Sequence, residues 1–356
     1  MQAIEIKAHA KINLSLDIIG RRADGYHDID SVMQGIGLCD LVRVEVGRAD
    51  CDFPHIECSC GSNFSDNSGR ISARSLIHLF MNAKGLEPSE DNLAIKGAKA
   101  FLNAISSTGS KGSEPFSNPK GNAPSQNSKN SANSARPTDS GSEASREISI
   151  IIDKKLPISA GIAGGSGNSA VTMLALNAMC ENPLSLRELM DIGASVGADV
   201  PFSIMMNARM NEDVLTGLAG LDEASVSARM QGIGEIVEPI EPIERYIIMA
   251  NPGIAVSTKE VYEAIDSLPE NKRIKLGLWG NMMEAYTLDS YDEADKLKAK
   301  MEACLNADKV LMSGSGPTMV AYYSDKDKWL ADCEHKDWIE EGWRVWPSTT
   351  GIIREV

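Results

Sequence analysis

Residues 157–179 read PISAGIAGGSGNSAVTMLALNAM. Small residues are packed through Gly167, and an apolar helical pattern follows from about Asn168. Just before the run, Ile148 to Ile152 reads as an isoleucine-rich buried strand. The segment is therefore a strand, a glycine-rich loop and a helix. Glycines let a backbone approach an anion and turn its amides inward, while the helix start adds unpaired N–H donors and a positive dipole end. Ser166 adds a hydroxyl. The run Pro157-Ile158-Ser159-Ala160-Gly161-Ile162-Ala163-Gly164-Gly165-Ser166-Gly167 is the candidate phosphate cradle. No Lys-Ser or Lys-Thr follows its glycines, so it is not a Walker loop, and its spacing does not fit a dinucleotide fingerprint. The alternative is a tight turn that lets a helix pack closely.

Outward from this loop, Glu90 to Ala104 has apolar residues at helical spacing, and Ala3 to Lys7 alternate like a strand. Between them and Ile148, residues 106–146 are mostly Ser, Asn, Gly, Pro and Lys. Such a composition buries too little apolar surface to offset chain entropy, and it predicts a disordered insertion. Downstream, Arg245 to Met249 and Thr318 to Tyr322 read as strands, and Ser257 to Ser267 and Asp292 to Leu305 as helices. The expectation is an α+β chain of two domains, 1–240 and 241–356, which suits a length of 356 residues.

The formal charge of -15 leaves no basic face for nucleic acid or an anionic membrane. Any phosphate must be held locally. Seven scattered cysteines suggest a reduced, cytoplasmic chain; Cys58 and Cys60 lack a second ligand pair, which argues against structural zinc. No run approaches the roughly 20 apolar residues of a membrane span, and the N-terminus has no signal-peptide pattern.

Four further motifs stand out: AHAKINLSLDIIGRRADGYHDIDSV from Ala8 to Val32, GADVPF from Gly197 to Phe202, NPGIAVSTKEVY from Asn251 to Tyr262, and SGSGPT from Ser313 to Thr318. Together with the glycine loop they resemble the GHMP kinase superfamily over nearly the whole chain, outside the insertion and the unfamiliar stretch Asn211 to Val226. The resemblance implies a two-domain fold with an N-terminal nucleotide-binding domain and a C-terminal α/β sandwich, ATP as co-substrate and Mg2+ with it. GRRADGYH points within the superfamily to the branch that phosphorylates the 2-hydroxyl of 4-diphosphocytidyl-2-C-methyl-D-erythritol in non-mevalonate isoprenoid precursor synthesis. Another branch, of mevalonate or homoserine type, and a catalytically weak nucleotide-binding relative remain as alternatives. The assembly is expected to be a monomer or a homodimer.

Phosphoryl transfer needs positioning, charge neutralisation and a base near the acceptor hydroxyl. Asp199 is the candidate base, and Lys11 would favour its charged form and stabilise the transferring oxygens. Both match the superfamily's catalytic pair. Standing alone, GADVP would read as a turn or cap aspartate, and Lys11 as a solvated strand lysine. Asn13 shares a strand face with Lys11, and the resemblance makes it a substrate ligand. Tyr26 and His27 offer a ring and a nitrogen for a pyrimidine edge, with Tyr262 expected on the base's other side and Thr258 before it as a substrate contact. No carboxylate cluster marks a protein-built Mg2+ site, and no motif places adenine. The loop itself departs from the superfamily at Ser159, Ala163 and Gly167, where glycine, glycine and serine are expected. A methyl at Ala163 would cost about 1 kcal/mol if that residue takes a positive φ.

Overall fold

A computed structural model describes residues 3–47, 54–60, 75–83, 87–108, 146–158, 160–269 and 273–350. The chain is α+β with two sheets. The first has eight strands in the order β3 (His55–Cys60), β4 (Ser75–Met81), β5 (Arg146–Asp153), β2 (His27–Val46), β1 (Ala3–Arg21) and β9 (Gly280–Asn281). β6 (Ser227–Gly232) also pairs with β2, and β7 (Ile236–Pro239) pairs with β6. The second sheet runs β10 (Lys309–Met312), β11 (Met319–Tyr323), β8 (Tyr246–Asn251) and β12 (Arg344–Thr349).

The long hairpin of β1 and β2 organises the molecule. Even-numbered residues of β1 are apolar and enter three successive cores: Ile6 and Ala8 the first, Ala10, Ile12 and Leu14 the second, Leu16 and Ile18 the third. The odd-numbered residues His9, Lys11, Asn13, Ser15 and Asp17 are polar and also buried. Period-two alternation therefore holds, but both faces are covered, and the polar face cannot be a solvent face. Polar groups buried in this way need partners or a function.

The first core lies between the large sheet and the helices α1 (Leu93–Thr108), α2 (Gly164–Met179), α3 (Leu186–Ala194) and α4 (Val200–Met210). α2 carries buried residues on nearly every face, because helices and sheet enclose it. The third core joins the second sheet to α5 (Thr258–Ile265), α6 (Glu284–Ser290), α7 (Asp292–Cys304) and α8 (Lys326–Glu334). The middle core joins the sheets: Ala10, Ile12 and Leu14 meet Ile247, Met249, Leu311, Val320 and Tyr322, and Leu156, Ala160 and Ile162 of the glycine loop close it. This apolar junction fixes the loop against both halves of the chain.

The strands and helices expected from periodicity are present, with shifted ends: α1 runs Leu93–Thr108 against the expected Glu90 to Ala104. α2 begins at Gly164, four residues before the expected Asn168. Glycines carry no apolar signal, so the first helical turn is invisible to a hydrophobicity pattern. Most of the expected disordered insertion lies outside the described residues; at its edges, residues 106–108 are the end of α1 and Arg146 begins β5. Cys58 is buried in the first core, in the β3–β4 hairpin. Among the described residues, no helix is long and apolar enough to cross a membrane.

Candidate active site

One cavity of about 470 Å³ opens where the glycine loop, β1 and the start of α4 meet. Lys11, Asn13, Pro157, Ile158, Ala160, Gly161, Ile162, Ala163, Gly164, Gly165, Asp199, Thr258 and Tyr262 line it, with Gly314 and Ser315 from the SGSGPT motif. Residues from five separated motifs thus share one space.

The loop is built for close approach. Gly161 has φ 72, and a Cβ there would stand 2.2 Å from the Ser313 carbonyl oxygen. Gly314 has φ 57, and a Cβ there would stand 2.9 Å from the Gly161 carbonyl oxygen. The two turns interlock, and the Ser313 hydroxyl donates to the Gly161 carbonyl at 3.0 Å. SGSGPT is therefore a support for the phosphate loop as well as a cavity wall. Ala163 caps α2 with φ 53 and ψ 33, in the left-handed region. The first-turn amides of α2 have no intrahelical acceptor and face the cavity end of the helix. Gly167 serves packing: a Cβ there would stand 3.0 Å from the His9 carbonyl oxygen, so its absence lets α2 approach β1. Neither Gly167 nor Ser166 lines the cavity, and Ser159 lies outside the described residues.

Opposite the loop, Lys11 Nζ donates to Asn13 Oδ1 at 2.7 Å and lies 3.6 Å from Asp199 Oδ2. Asn13 Nδ2 donates to Ser31 Oγ at 2.9 Å, and that hydroxyl donates to the Ser15 carbonyl at 2.6 Å. This chain fixes which way the Asn13 amide points, so its oxygen faces Lys11. The backbone N–H of Lys11 donates to the Ile162 carbonyl at 3.1 Å, tying β1 to the loop. Asp199 stands at the N-cap of α4, yet its side chain accepts no capping hydrogen bond. A cap aspartate would spend its carboxylate on the helix amides. This one turns into the cavity instead. Burial pushes the Tyr262 phenol upward, and the nearby Asp199 charge adds to the effect, so the ring keeps its proton at neutral pH.

Thr258 Oγ1 pairs with Ser315 Oγ at 2.9 Å. His27 does not line the cavity; its ring stacks on Tyr262 at 5.0 Å and 25°, and its Nε2 is 2.8 Å from Asp266 Oδ1. Tyr26 is 61% exposed in the turn between β1 and β2, away from the cavity lining.

The GHMP kinases N terminal domain family matches residues 132–207. The 4-diphosphocytidyl-2-C-methyl-D-erythritol kinase of Alkaliphilus metalliredigens is 30% identical over 342 residues, covering 91% of this chain and 89% of the relative. The chain belongs to that kinase family. The kinase of the same name from Clostridioides difficile is 29% identical over 345 residues, covering 92% and 89%. A crystal structure of 4-(cytidine 5'-diphospho)-2C-methyl-D-erythritol kinase has a TM-score of 0.59 at 23% identity, covering 98% of this chain and 99% of that one. A homoserine kinase from Cytophaga hutchinsonii has a TM-score of 0.55 at 12% identity, covering 99% and 96%, so the fold reaches across the GHMP kinases. As a member of this kinase family the chain is an ATP-dependent small-molecule kinase with ATP as co-substrate.

Two cavity residues of this family member escaped the motif reading. Lys154 follows β5, and a Cβ on Gly164 would stand 3.0 Å from its Nζ, which puts an ammonium beside the start of α2. It is paired with the fully buried Asp40 of β2, which also accepts from the Lys155 and Leu156 amides at 2.7 and 2.8 Å. The signal in the sequence was the pair Lys154–Lys155 between strand and loop, which reads as a solvated turn. Asn168 lines the cavity with a buried Oδ1 that has no hydrogen-bond partner among the described residues. Its position in a glycine-rich helix start gave no contrast.

Proposed function

We propose that the cavity transfers the γ-phosphoryl group of ATP to the 2-hydroxyl of 4-diphosphocytidyl-2-C-methyl-D-erythritol, in non-mevalonate isoprenoid precursor synthesis. The observation that carries this reading is the uncapped Asp199 carboxylate, 3.6 Å from Lys11 and across one cavity from the glycine loop. Asp199 accepts the proton of the acceptor hydroxyl as the oxygen attacks. Lys11, oriented by Asn13, neutralises charge on the transferring oxygens, and the amides of Gly164 and Gly165 at the cavity wall cradle the nucleotide phosphates. Most of this is positioning and electrostatics, which is what phosphoryl transfer asks of a protein. Thr258 and Tyr262 contact the substrate from the second sheet's side, with His27 stacked on Tyr262 behind the cavity wall; Tyr26, exposed in the turn between β1 and β2 and away from the lining, is left out of the substrate contacts. Among the described residues, no group of three or more His, Cys, Asp or Glu side chains would hold a metal ion, so Mg2+ arrives with the nucleotide and takes its ligands mainly from phosphates and water.

We place the domain division at 240/241; it is supported by the passage of the chain from the first sheet to the second between β7 and β8, after which β9 returns to pair with β1. A cytoplasmic location fits a small-molecule kinase without a membrane-spanning helix among its described residues.

ADP release by the purified chain, measured with a panel of acceptor alcohols, tests the reading. Turnover is expected with the diphosphocytidyl substrate and not with mevalonate or homoserine. Turnover with either of those alone would move the chain to another branch of the GHMP kinases. ATP binding without turnover on any acceptor would favour a catalytically weak relative, the reading that Ala163 motivates.

A further inference from the structure

The turn between β6 and β7 reads Gly232-Ile233-Gly234-Glu235 and belongs to none of the motifs in the sequence. Gly232 takes φ 67 and Gly234 φ 120, a backbone open to glycine and costly for other residues. Gly234 lies against the chain just before Asp199: a Cβ there would stand 2.7 Å from the Ala198 carbonyl oxygen and 3.3 Å from the Ala198 Cβ. Ordinary contact begins at 3.4 Å, and the first group such a methyl would meet is backbone, which cannot swing aside as a side chain can. The turn is itself braced. One oxygen of the Glu235 carboxylate accepts the Ile233 amide at 2.6 Å, and the other lies 3.7 Å from Arg22 Nη1 in the turn between β1 and β2. Ile233, Ala198 and Asp199 all line the cavity. Asp199 has no capping bond to its own helix, so apart from Lys11 at 3.6 Å the place of its carboxylate depends on the backbone that carries it.

We propose that Gly234, in a turn held by Glu235, is a positioning residue for Asp199. The bare Cα at 234 seats on Ala198 and sets how far the Asp199 carboxylate reaches toward the acceptor hydroxyl. A side chain at 234 would force residues 198 and 199 away from the turn and change the distance over which the proton passes, in a step whose rate depends on placement within fractions of an ångström. Glu235 acts one step further out, by fixing the Ile233 amide and with it the shape of the turn. The glycine loop lies across the cavity, so ATP binding is left alone. The proposal rests on the reading of Asp199 as the base.

The test is single-turnover phosphoryl transfer by the full chain from ATP to the diphosphocytidyl substrate, with the Kd for ATP and the thermal midpoint measured alongside. In Gly234→Ala the rate is expected to fall about tenfold or more, the scale of a sub-ångström misplacement, with the Kd for ATP within about twofold of the parent's. Gly47→Ala controls for backbone strain. Gly47 has φ 111, and a Cβ there would have nothing within 4 Å among the described residues, so the midpoint should fall while the rate stays within about twofold. Glu235→Ala should slow transfer about threefold and Glu235→Gln should restore it, because the amide oxygen accepts the same N–H. On an Asp199→Asn background Gly234→Ala should cost no further rate, the non-additivity expected of a residue that acts through another. An unchanged rate in folded Gly234→Ala, or the same fractional loss with Asp199 and without it, overturns the proposal and leaves Asp199 as the base. Should Gly234→Ala fail to fold, the Glu235 variants decide: an unchanged rate in Glu235→Ala, or a loss that Glu235→Gln does not recover, overturns the proposal. A rate in Asp199→Asn within about tenfold of the parent overturns the reading of the base beneath it.

Discussion

Two lysine–aspartate pairs stand at the same cavity, Lys11–Asp199 with both residues in its lining and Lys154–Asp40 with only the lysine, and they are built in opposite ways. Asp40 is fully buried, paired with Lys154, and accepts two backbone amides as well. Asp199 is 32% exposed on its side chain, accepts no capping bond, and stands 3.6 Å from a lysine whose hydrogen bond goes to Asn13. A carboxylate whose oxygens already accept several donors has few lone pairs left for a ligand. One left partly unsatisfied beside the same space can accept a proton. Under the proposed mechanism the same residue types serve as scaffold in one corner and as reagent in the other, and the donors around them set the difference.

The largest effect should come from the reagent corner. Asp199→Asn is expected to lower kcat by about a thousandfold, within the range of a lost general base, with KM values nearly unchanged. Single-turnover phosphoryl transfer measures it directly, and a rate within tenfold of the parent would move Asp199 out of the chemistry. At the scaffold corner, Asp40→Ala should leave Lys154 and two amides unpaired and cost about 3 kcal/mol of stability, as broken buried pairs do. Urea unfolding would report this, and a midpoint equal to the parent's would erase the contrast between the pairs. The smallest effect concerns the loop between the corners. Ala163 has φ 53, so Ala163→Gly should relieve about 1 kcal/mol of left-handed strain, read as a raised unfolding free energy. A decrease would mean that the local structure favours the methyl.

Much of the fold was legible because its signals are local. The alternation in β1, the isoleucine run of β5 and the helical spacing of α1, α5 and α7 each follow from which face of an element must be apolar. Lys11 and Asn13 share a face for the same reason. The start of α2 was displaced by four residues because glycine has no side chain to pattern. Lys154 belonged to no motif, because nothing near it in sequence says that Asp40, 114 residues earlier, lies against it. Tyr26 and His27, adjacent in the chain, part company in space, since successive residues near a strand start point to opposite sides.

By itself the sequence determined that a glycine-rich turn precedes a helix, that the chain carries a net charge of -15, and that four motifs share one kinase pattern, because residue type and spacing fix local conformation and charge. Only the tertiary structure decided that Gly161 and Gly314 interlock, that Asp199 leaves its helix uncapped, and that Asp266 lies against His27. Those are relations between segments brought together by the packing of two sheets through Ala10, Ile12 and Leu14. Contact across such distances depends on the whole core, and no local window of sequence contains it.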